Sequence, residues 1–150
     1  MYDRELAYLY AKRWAESFNP NYYNFSKLGG DCTNFVSQCI HAGGVAMNYD
    51  KYGWYYLSLN SRAPAWSGVN EFWNFGINNN SVGLKLTECE LSDLEVGDII
   101  ELYNGQKYYH NLFVTSVDNG IRVSAHDNPT FNTLLGRYNY VSLRCAKVSD

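Results

Sequence analysis

The hydrophobic positions follow helical spacing in the first part of the chain. Apolar side chains recur every three or four positions over about residues 3–18, which predicts an amphipathic helix that Asn19-Pro20 ends. A second helix is predicted to begin at Cys32. Asp31 would be its N-cap, with the carboxylate accepting a first-turn N–H, and Gly43-Gly44 would end it after about three turns. Between the two helices, residues 19–30 are rich in turn formers and predict a loop.

The middle of the chain is rich in aromatic residues but has no long stretch in which hydrophobic positions recur at regular spacing. Residues 45–66 predict an irregular aromatic layer, with a short strand at about 54–57. A short helix is expected after Ser67 as its cap, and Gly76 is expected to stop it.

The second half of the chain has the alternation of β-strands. Strands are predicted at about 98–103, 108–117, 121–126 and 140–148, with a hairpin loop at 118–120. Helices followed by strands predict an α+β fold, in which the N-terminal helices pack on an antiparallel sheet. A length of 150 residues predicts one domain, residues 1–150.

Charge and composition exclude several classes of function. The formal net charge is −3 without a cluster of Lys or Arg, so nucleic acid is not an expected partner. The apolar runs are too short for a membrane span, and the charged residues within 1–20 are unlike a signal peptide. We therefore expect a monomer that leaves the cell by another route or that forms part of a longer enzyme.

The four cysteines predict free thiols, one of them in a position suited to chemistry. No pair has metal-ligand spacing, and Cys32 and Cys39 would lie roughly 10 Å apart along one helix, too far for a disulfide. No metal or organic cofactor is predicted. A thiol at a helix N-terminus meets unpaired N–H groups and the positive end of the helix dipole, which favours a lowered pKa. Cys32 is thus either a nucleophile or a small buried apolar residue.

A thiolate nucleophile needs an imidazole base and a group that orients the imidazole. His41 would lie half a turn away from Cys32 on the same helix, which leaves His110 and His126 in the hairpin. A three-residue loop at 118–120 places both histidines on one face of the hairpin, with Asn128 across from His110. A two-residue loop places Asp127 on that face instead, so the third member of the site stays open.

Several motifs resemble one family over nearly the whole chain. The run Gly-Gly-Asp-Cys-Thr-Asn-Phe-Val-Ser-Gln-Cys at 29–39, followed by Ala-Gly-Gly, resembles the signature of the bacterial putative amidase domain family. That family is similar to the NlpC-type and CHAP papain-like cysteine hydrolases of cell walls. Further matches in the family's order are Tyr-Asn-Phe at 23–25, Trp-Tyr-Tyr at 54–56, Val-Gly-Asp-Ile-Ile at 96–100, His110, and Ala-His-Asp at 125–127.

The resemblance implies a papain-like fold and a role for each matched residue. Cys32 would be the nucleophile on a helix packed against the sheet, and His110 the general base. His126 best fits the orienting residue, with Asp127 as the alternative. Asp31 is similar to the acidic residue that those families place beside the oxyanion site.

The resemblance also implies a reaction and a place of action. The chain would hydrolyse an amide bond of bacterial peptidoglycan through a thioester acyl-enzyme, as a phage-type lysin (endolysin) or an exported hydrolase acting at the cell wall. The bond could be the N-acetylmuramoyl–L-alanine amide or one within the stem peptide. Two alternatives are a papain-like acyltransferase and a non-catalytic module that binds wall glycan through the aromatic residues of 54–66.

Overall fold

The computed structural model describes residues 1–150, which form four helices and eight strands. The helices are α1 (Arg4–Trp14), α2 (Cys32–Ala42), α3 (Pro64–Ser67) and α4 (Val69–Asn78). The strands are β1 (Tyr56–Ser58), β2 (Ser61–Arg62), β3 (Lys85–Cys89), β4 (Ile99–Tyr103), β5 (Tyr108–Ser116), β6 (Arg122–Ala125), β7 (Thr130–Leu134) and β8 (Ser142–Ser149). Single 3₁₀ turns lie at Phe25–Lys27, Leu91–Asp93 and Leu135–Arg137.

The main sheet has six antiparallel strands in the order β3-β8-β4-β5-β6-β7, and β1 and β2 form a separate hairpin. The predicted α+β class is confirmed. The sequence prediction omitted β3 and β7. In β3 only Leu86 is buried, and in β7 every residue is half-buried, so neither strand has a clear alternation of apolar and polar positions.

Two hydrophobic clusters cover the two faces of the sheet. The larger cluster lies between the helices and the sheet, where Phe35 of α2 packs with Ile99 and Phe113 of the central strands. The smaller one contains Ile100 and Leu112, the next residues along the same strands. Because side chains alternate along a strand, each central strand feeds both clusters. The packing against α2 fixes where that helix begins relative to β5.

Two helix ends differ from the prediction. Asp3 caps α1 as expected, with its side chain accepting from the Leu6 N–H at 3.0 Å, but the helix ends at Trp14 rather than near residue 18. α4 begins after Gly68 and passes through Gly76 to its end at Asn78. A Cβ at Gly76 would overlap the Leu86 side chain, so this glycine permits close packing of α4 on β3 instead of stopping the helix.

α2 spans the predicted three turns and ends where two glycines follow it. Gly44 has a φ of +94°, the left-handed conformation that glycine adopts without strain, and its N–H donates to the carbonyl of His41. None of the four helices combines the length and apolar character that a membrane crossing requires.

Candidate active site

Cys32 is the first residue of α2 and lies against strand β5. Its side chain is only 4% exposed. The Thr33 hydroxyl lies 3.8 Å from the Sγ, and the backbone N–H of Asn111 favours the thiolate form of the side chain. The thiol therefore stands where the start of a helix meets the central sheet, as the sequence predicted.

Burial is the largest effect on the protonation of the thiol. It raises the pKa of Cys32 to about 12, and the negative charge of Asp127 acts in the same direction. The Asn111 N–H and the Thr33 hydroxyl oppose this rise but do not cancel it. The predicted lowering of the pKa is thus wrong: in the resting site the group is a neutral thiol and needs a base to remove its proton.

His110 provides an imidazole at the right place. One of its ring nitrogens, the Sγ of Cys32 and a carboxylate oxygen of Asp127 all lie within 4.8 Å of one another. Burial lowers the pKa of His110, while the nearby Asp127 carboxylate acts to raise it. The buried Nδ1 has no hydrogen-bond partner. A neutral imidazole beside a neutral thiol can accept its proton, and the carboxylate favours the imidazolium that results.

A bulge between β5 and β6 brings Asp127 to this site. Near the loop, Ser116 lies opposite Arg122, which is the register that a three-residue loop requires. Further along, Val114 lies opposite Val123. Thr115 is therefore an extra residue on β5. Continued past the end of β6, the shifted register places Asp127 across from His110. Neither of the two uniform registers considered from the sequence contains this shift.

The backbone around Asp127 fits its side chain into a narrow space. Asp127 and Asn128 have φ values of +60° and +71° in the turn between β6 and β7. The Oδ1 of Asp127 accepts from the backbone N–H of Asp31 at 2.8 Å. A Cβ on Gly30, whose φ is +102°, would lie 2.7 Å from Oδ2 of Asp127. Because Gly30 has no side chain, the Asp127 carboxylate can approach the start of α2.

Asp31 and His126 form a separate buried hydrogen-bonded pair, and each is 1% exposed. The Oδ1 of Asp31 accepts from the Phe25 N–H at 2.7 Å and from Nδ2 of Asn34 at 2.9 Å. Its Oδ2 bonds Nδ1 of His126. Asp31 makes no side-chain hydrogen bond to the first turn of α2, so the predicted N-cap bond is wrong.

Both ring nitrogens of His126 face acceptors. Nδ1 faces the Asp31 carboxylate, and Nε2 lies 2.8 Å from the carbonyl of Trp14. Nε2 bonds the Trp14 carbonyl and Nδ1 shares a hydrogen with the Asp31 carboxyl group, so both ring nitrogens are occupied. The rings of Phe18 and Phe35 flank it, with centroids 4.4 and 4.2 Å away. His126 thus has no nitrogen left for His110.

A group of buried polar side chains near the thiol was not predicted from the sequence. Asn111 donates weakly to the Thr33 hydroxyl at 3.5 Å, and its Oδ1 has no partner. Glu101 lies opposite Asn111 on β4 and is fully buried. Its Oε1 accepts two hydrogen bonds from Arg144, at 3.0 and 2.7 Å, whereas its Oε2 has no partner. Burial raises the pKa of Glu101 to about 8, against the opposing effect of Arg144. A charged residue inside an otherwise apolar strand, Ile-Ile-Glu-Leu, was the available signal.

The structure thus divides the predicted site residues into two groups. Cys32 and His110 come together with Asp127, whereas Asp31 and His126 form the neighbouring hydrogen-bonded pair. The first group is also the one cluster of at least three potential metal ligands in the chain. Thiolate, imidazole and carboxylate are ligands that Zn²⁺ accepts, so such an ion would compete with the proton of the thiol.

Comparison with known proteins identifies the family of this chain. Residues 1–145 match the family described as Putative amidase domain, and the chain belongs to that family. The fold and the site are those of an α+β domain with a cysteine at a helix start, and the family description makes it an amidase-like domain.

Two relatives come from Bacillus subtilis strain 168. The uncharacterized protein YhbB is 31% identical over 125 residues, which cover 79% of this chain and 39% of YhbB. The uncharacterized protein YjcM is 27% identical over 110 residues, covering 73% of this chain and 23% of YjcM. The chain thus spans well under half the length of either relative. No solved structure matches the chain.

Proposed function

We propose that this chain is a cysteine amidase that hydrolyses an amide bond of bacterial peptidoglycan. The observation that carries the proposal is the approach of thiol, imidazole and carboxylate within 4.8 Å at the start of α2. The family description supports amide hydrolysis in general. The site supports the cysteine mechanism, and the resemblance of the motif at 29–39 to cell-wall hydrolases supports the wall substrate.

The geometry suits a two-step acyl transfer to water. His110 takes the proton of Cys32, and the sulfur attacks the carbonyl carbon of the amide. The tetrahedral intermediate breaks its C–N bond, and the leaving amine takes the proton back from His110. A water molecule, deprotonated by the same imidazole, then attacks the thioester, and the carboxylic acid leaves as Cys32 recovers its proton.

Two features stabilise the charges that form during this reaction. Asp127 lies beside the imidazole and favours its protonated form once the thiol has lost its proton. The N–H groups that begin α2 carry the positive end of the helix dipole, which favours the oxyanion of the intermediate. Both effects are stronger because Cys32 and His110 are buried.

The first experiment incubates the chain with purified bacterial sacculi and identifies the released fragments by mass spectrometry. The wild type should release fragments whose masses identify the cleaved bond, and Cys32→Ala should release none. His41→Ala is the control, because His41 bonds only the Val45 carbonyl, far along α2 from the thiol. A parallel incubation with EDTA tests whether the same residues act through a metal ion.

Each outcome of that experiment is informative. Release that persists in EDTA and requires Cys32 supports the cysteine mechanism, whereas release abolished by EDTA would contradict it. Products that carry an added amine would indicate acyl transfer instead of hydrolysis. A folded wild type that binds several types of sacculi without releasing fragments would favour a binding module.

A further inference from the structure

A polar pocket lies close to His110. It has a volume of about 400 Å³ and is lined by two tyrosines, two asparagines, two threonines and Arg137. The ring of Tyr138, one of these tyrosines, has its centroid 5.7 Å from that of His110. Asn128, also in the lining, directly follows Asp127. The pocket is thus close enough to the reacting atoms to hold the part of a substrate next to the bond that is cut.

Arg137 is the only charged residue in this lining. It lies at the end of the 3₁₀ turn Leu135–Arg137 and is exposed. The guanidinium takes part in no ion pair or side-chain hydrogen bond of the structure, whereas Arg4, Arg62, Arg122 and Arg144 all donate to protein acceptors. Its five N–H donors are therefore free to receive a ligand.

A neighbouring pocket, whose lining also contains Asn128, has a different charge. It has a volume of about 640 Å³ and contains Asp127 as its charged residue, among Phe18, Asn24, Ser26 and other uncharged neighbours. The site therefore has a negative side and a positive side. A carboxylate group of a substrate would be repelled by Asp127 and attracted by Arg137.

We propose that the pocket containing Arg137 is a subsite for a carboxylate of the substrate, so that the enzyme selects acidic peptides over their amidated forms. A planar guanidinium binds a carboxylate through two parallel hydrogen bonds, and the neighbouring hydroxyl and amide groups can accept or donate further bonds. The inference rests on the proposed amidase function and specifies its substrate class. Because Arg137 is exposed, we expect a preference of roughly tenfold.

The test measures binding in the full chain with Cys32→Ala, so that no probe is consumed. The probes are fluorescently labelled L-Ala–γ-D-Glu–L-Lys with an amidated C-terminus, and the same peptide with its glutamyl α-carboxylate converted to a carboxamide. The carboxylate form should bind about tenfold more tightly. Adding Arg137→Gln should remove the preference, Arg137→Lys should keep part of it, and Arg13→Gln, on α1 outside the pocket, should leave it unchanged.

Three results would overturn the inference. They are equal binding of the two peptides, a preference that survives Arg137→Gln, and no measurable binding of either peptide at millimolar concentration. The sacculus experiment reports on the hydrolase separately. Wall cleavage without carboxylate selection would contradict the proposed subsite but not the proposed amidase. Carboxylate selection without any wall cleavage would contradict the proposed wall hydrolase but not the subsite.

Discussion

Two pairs of histidine and aspartate lie side by side in this molecule, and they differ in how completely their polar atoms are bonded. His126 and Asp31 are both 1% exposed, and every ring nitrogen and carboxylate oxygen of the pair has a partner. His110 and Asp127 lie next to Cys32, and the buried Nδ1 of His110 has no partner at all.

The difference separates a structural role from a chemical one. A fully bonded buried pair holds its neighbours in place, and any proton transfer would break a bond that nothing replaces. An imidazole with a free nitrogen beside a neutral thiol can change its protonation state without such a loss. We therefore propose that His110, not His126, is the base of the reaction, and we expect His126 and Asp31 to hold α1, α2 and the β6–β7 turn together.

The largest effect should come from removing the reacting groups. Cys32→Ala and His110→Ala should each lower kcat/KM by about 10⁴-fold or more, because the nucleophile and the base act in the same steps and the loss of either one stops them. The free energy of unfolding should change by less than about 2 kcal/mol, since neither side chain is held by strong hydrogen bonds. Turnover assays and urea denaturation measure the two quantities.

Cys89→Ala and His41→Ala are matched controls for these two changes. Cys89 is a half-buried cysteine on β3, away from the site, and His41 is a histidine on the same helix as Cys32. Both controls should keep nearly full activity. If Cys89→Ala were as inactive as Cys32→Ala, the nucleophile would be misassigned.

The next effect distinguishes the two aspartate–histidine pairs directly. Asp127→Asn should lower kcat by roughly 10²- to 10³-fold with little loss of stability, because the amide oxygen can still accept from the Asp31 N–H but carries no charge. His126→Ala should lower the free energy of unfolding by about 3–5 kcal/mol, because it leaves the Asp31 carboxylate buried without its partner.

A double substitution makes this comparison independent of whether His126→Ala folds well. Asp31→Asn with His126→Gln replaces both titratable groups and keeps most of the bonding atoms, so it should be more stable than His126→Ala alone. Turnover by the folded double variant should exceed that of Asp127→Asn. The reverse order, with Asp127→Asn fully active, would show that His126 orients His110 after all.

Much of this site could be predicted from the chain, and the exceptions have physical causes. The motif at 29–39 places Cys32 at a helix start, because glycines and Asp31 precede an apolar periodic run. The distinction between His126 and Asp127 depends on the single extra residue at Thr115, which no local pattern reveals. The pKa of Cys32 depends mainly on burial by residues distant in sequence, which the local helix pattern does not report.

The weakest of the expected effects, and the most direct test of the neutral thiol, is the pH dependence of the reaction. The base form of His110 is required, and burial lowers its pKa below the ordinary 6.5, so kcat/KM should fall only as the pH drops through a value below 6.5.

Because the pKa of Cys32 is raised to about 12, its alkylation by iodoacetamide should accelerate throughout pH 7–10 without a plateau. Asp127→Asn removes a charge that raises both values, so the acid limb should move lower and alkylation should become faster. A plateau in the alkylation rate near pH 6, measured with Cys89→Ala as the background, would instead reveal a preformed thiolate–imidazolium pair.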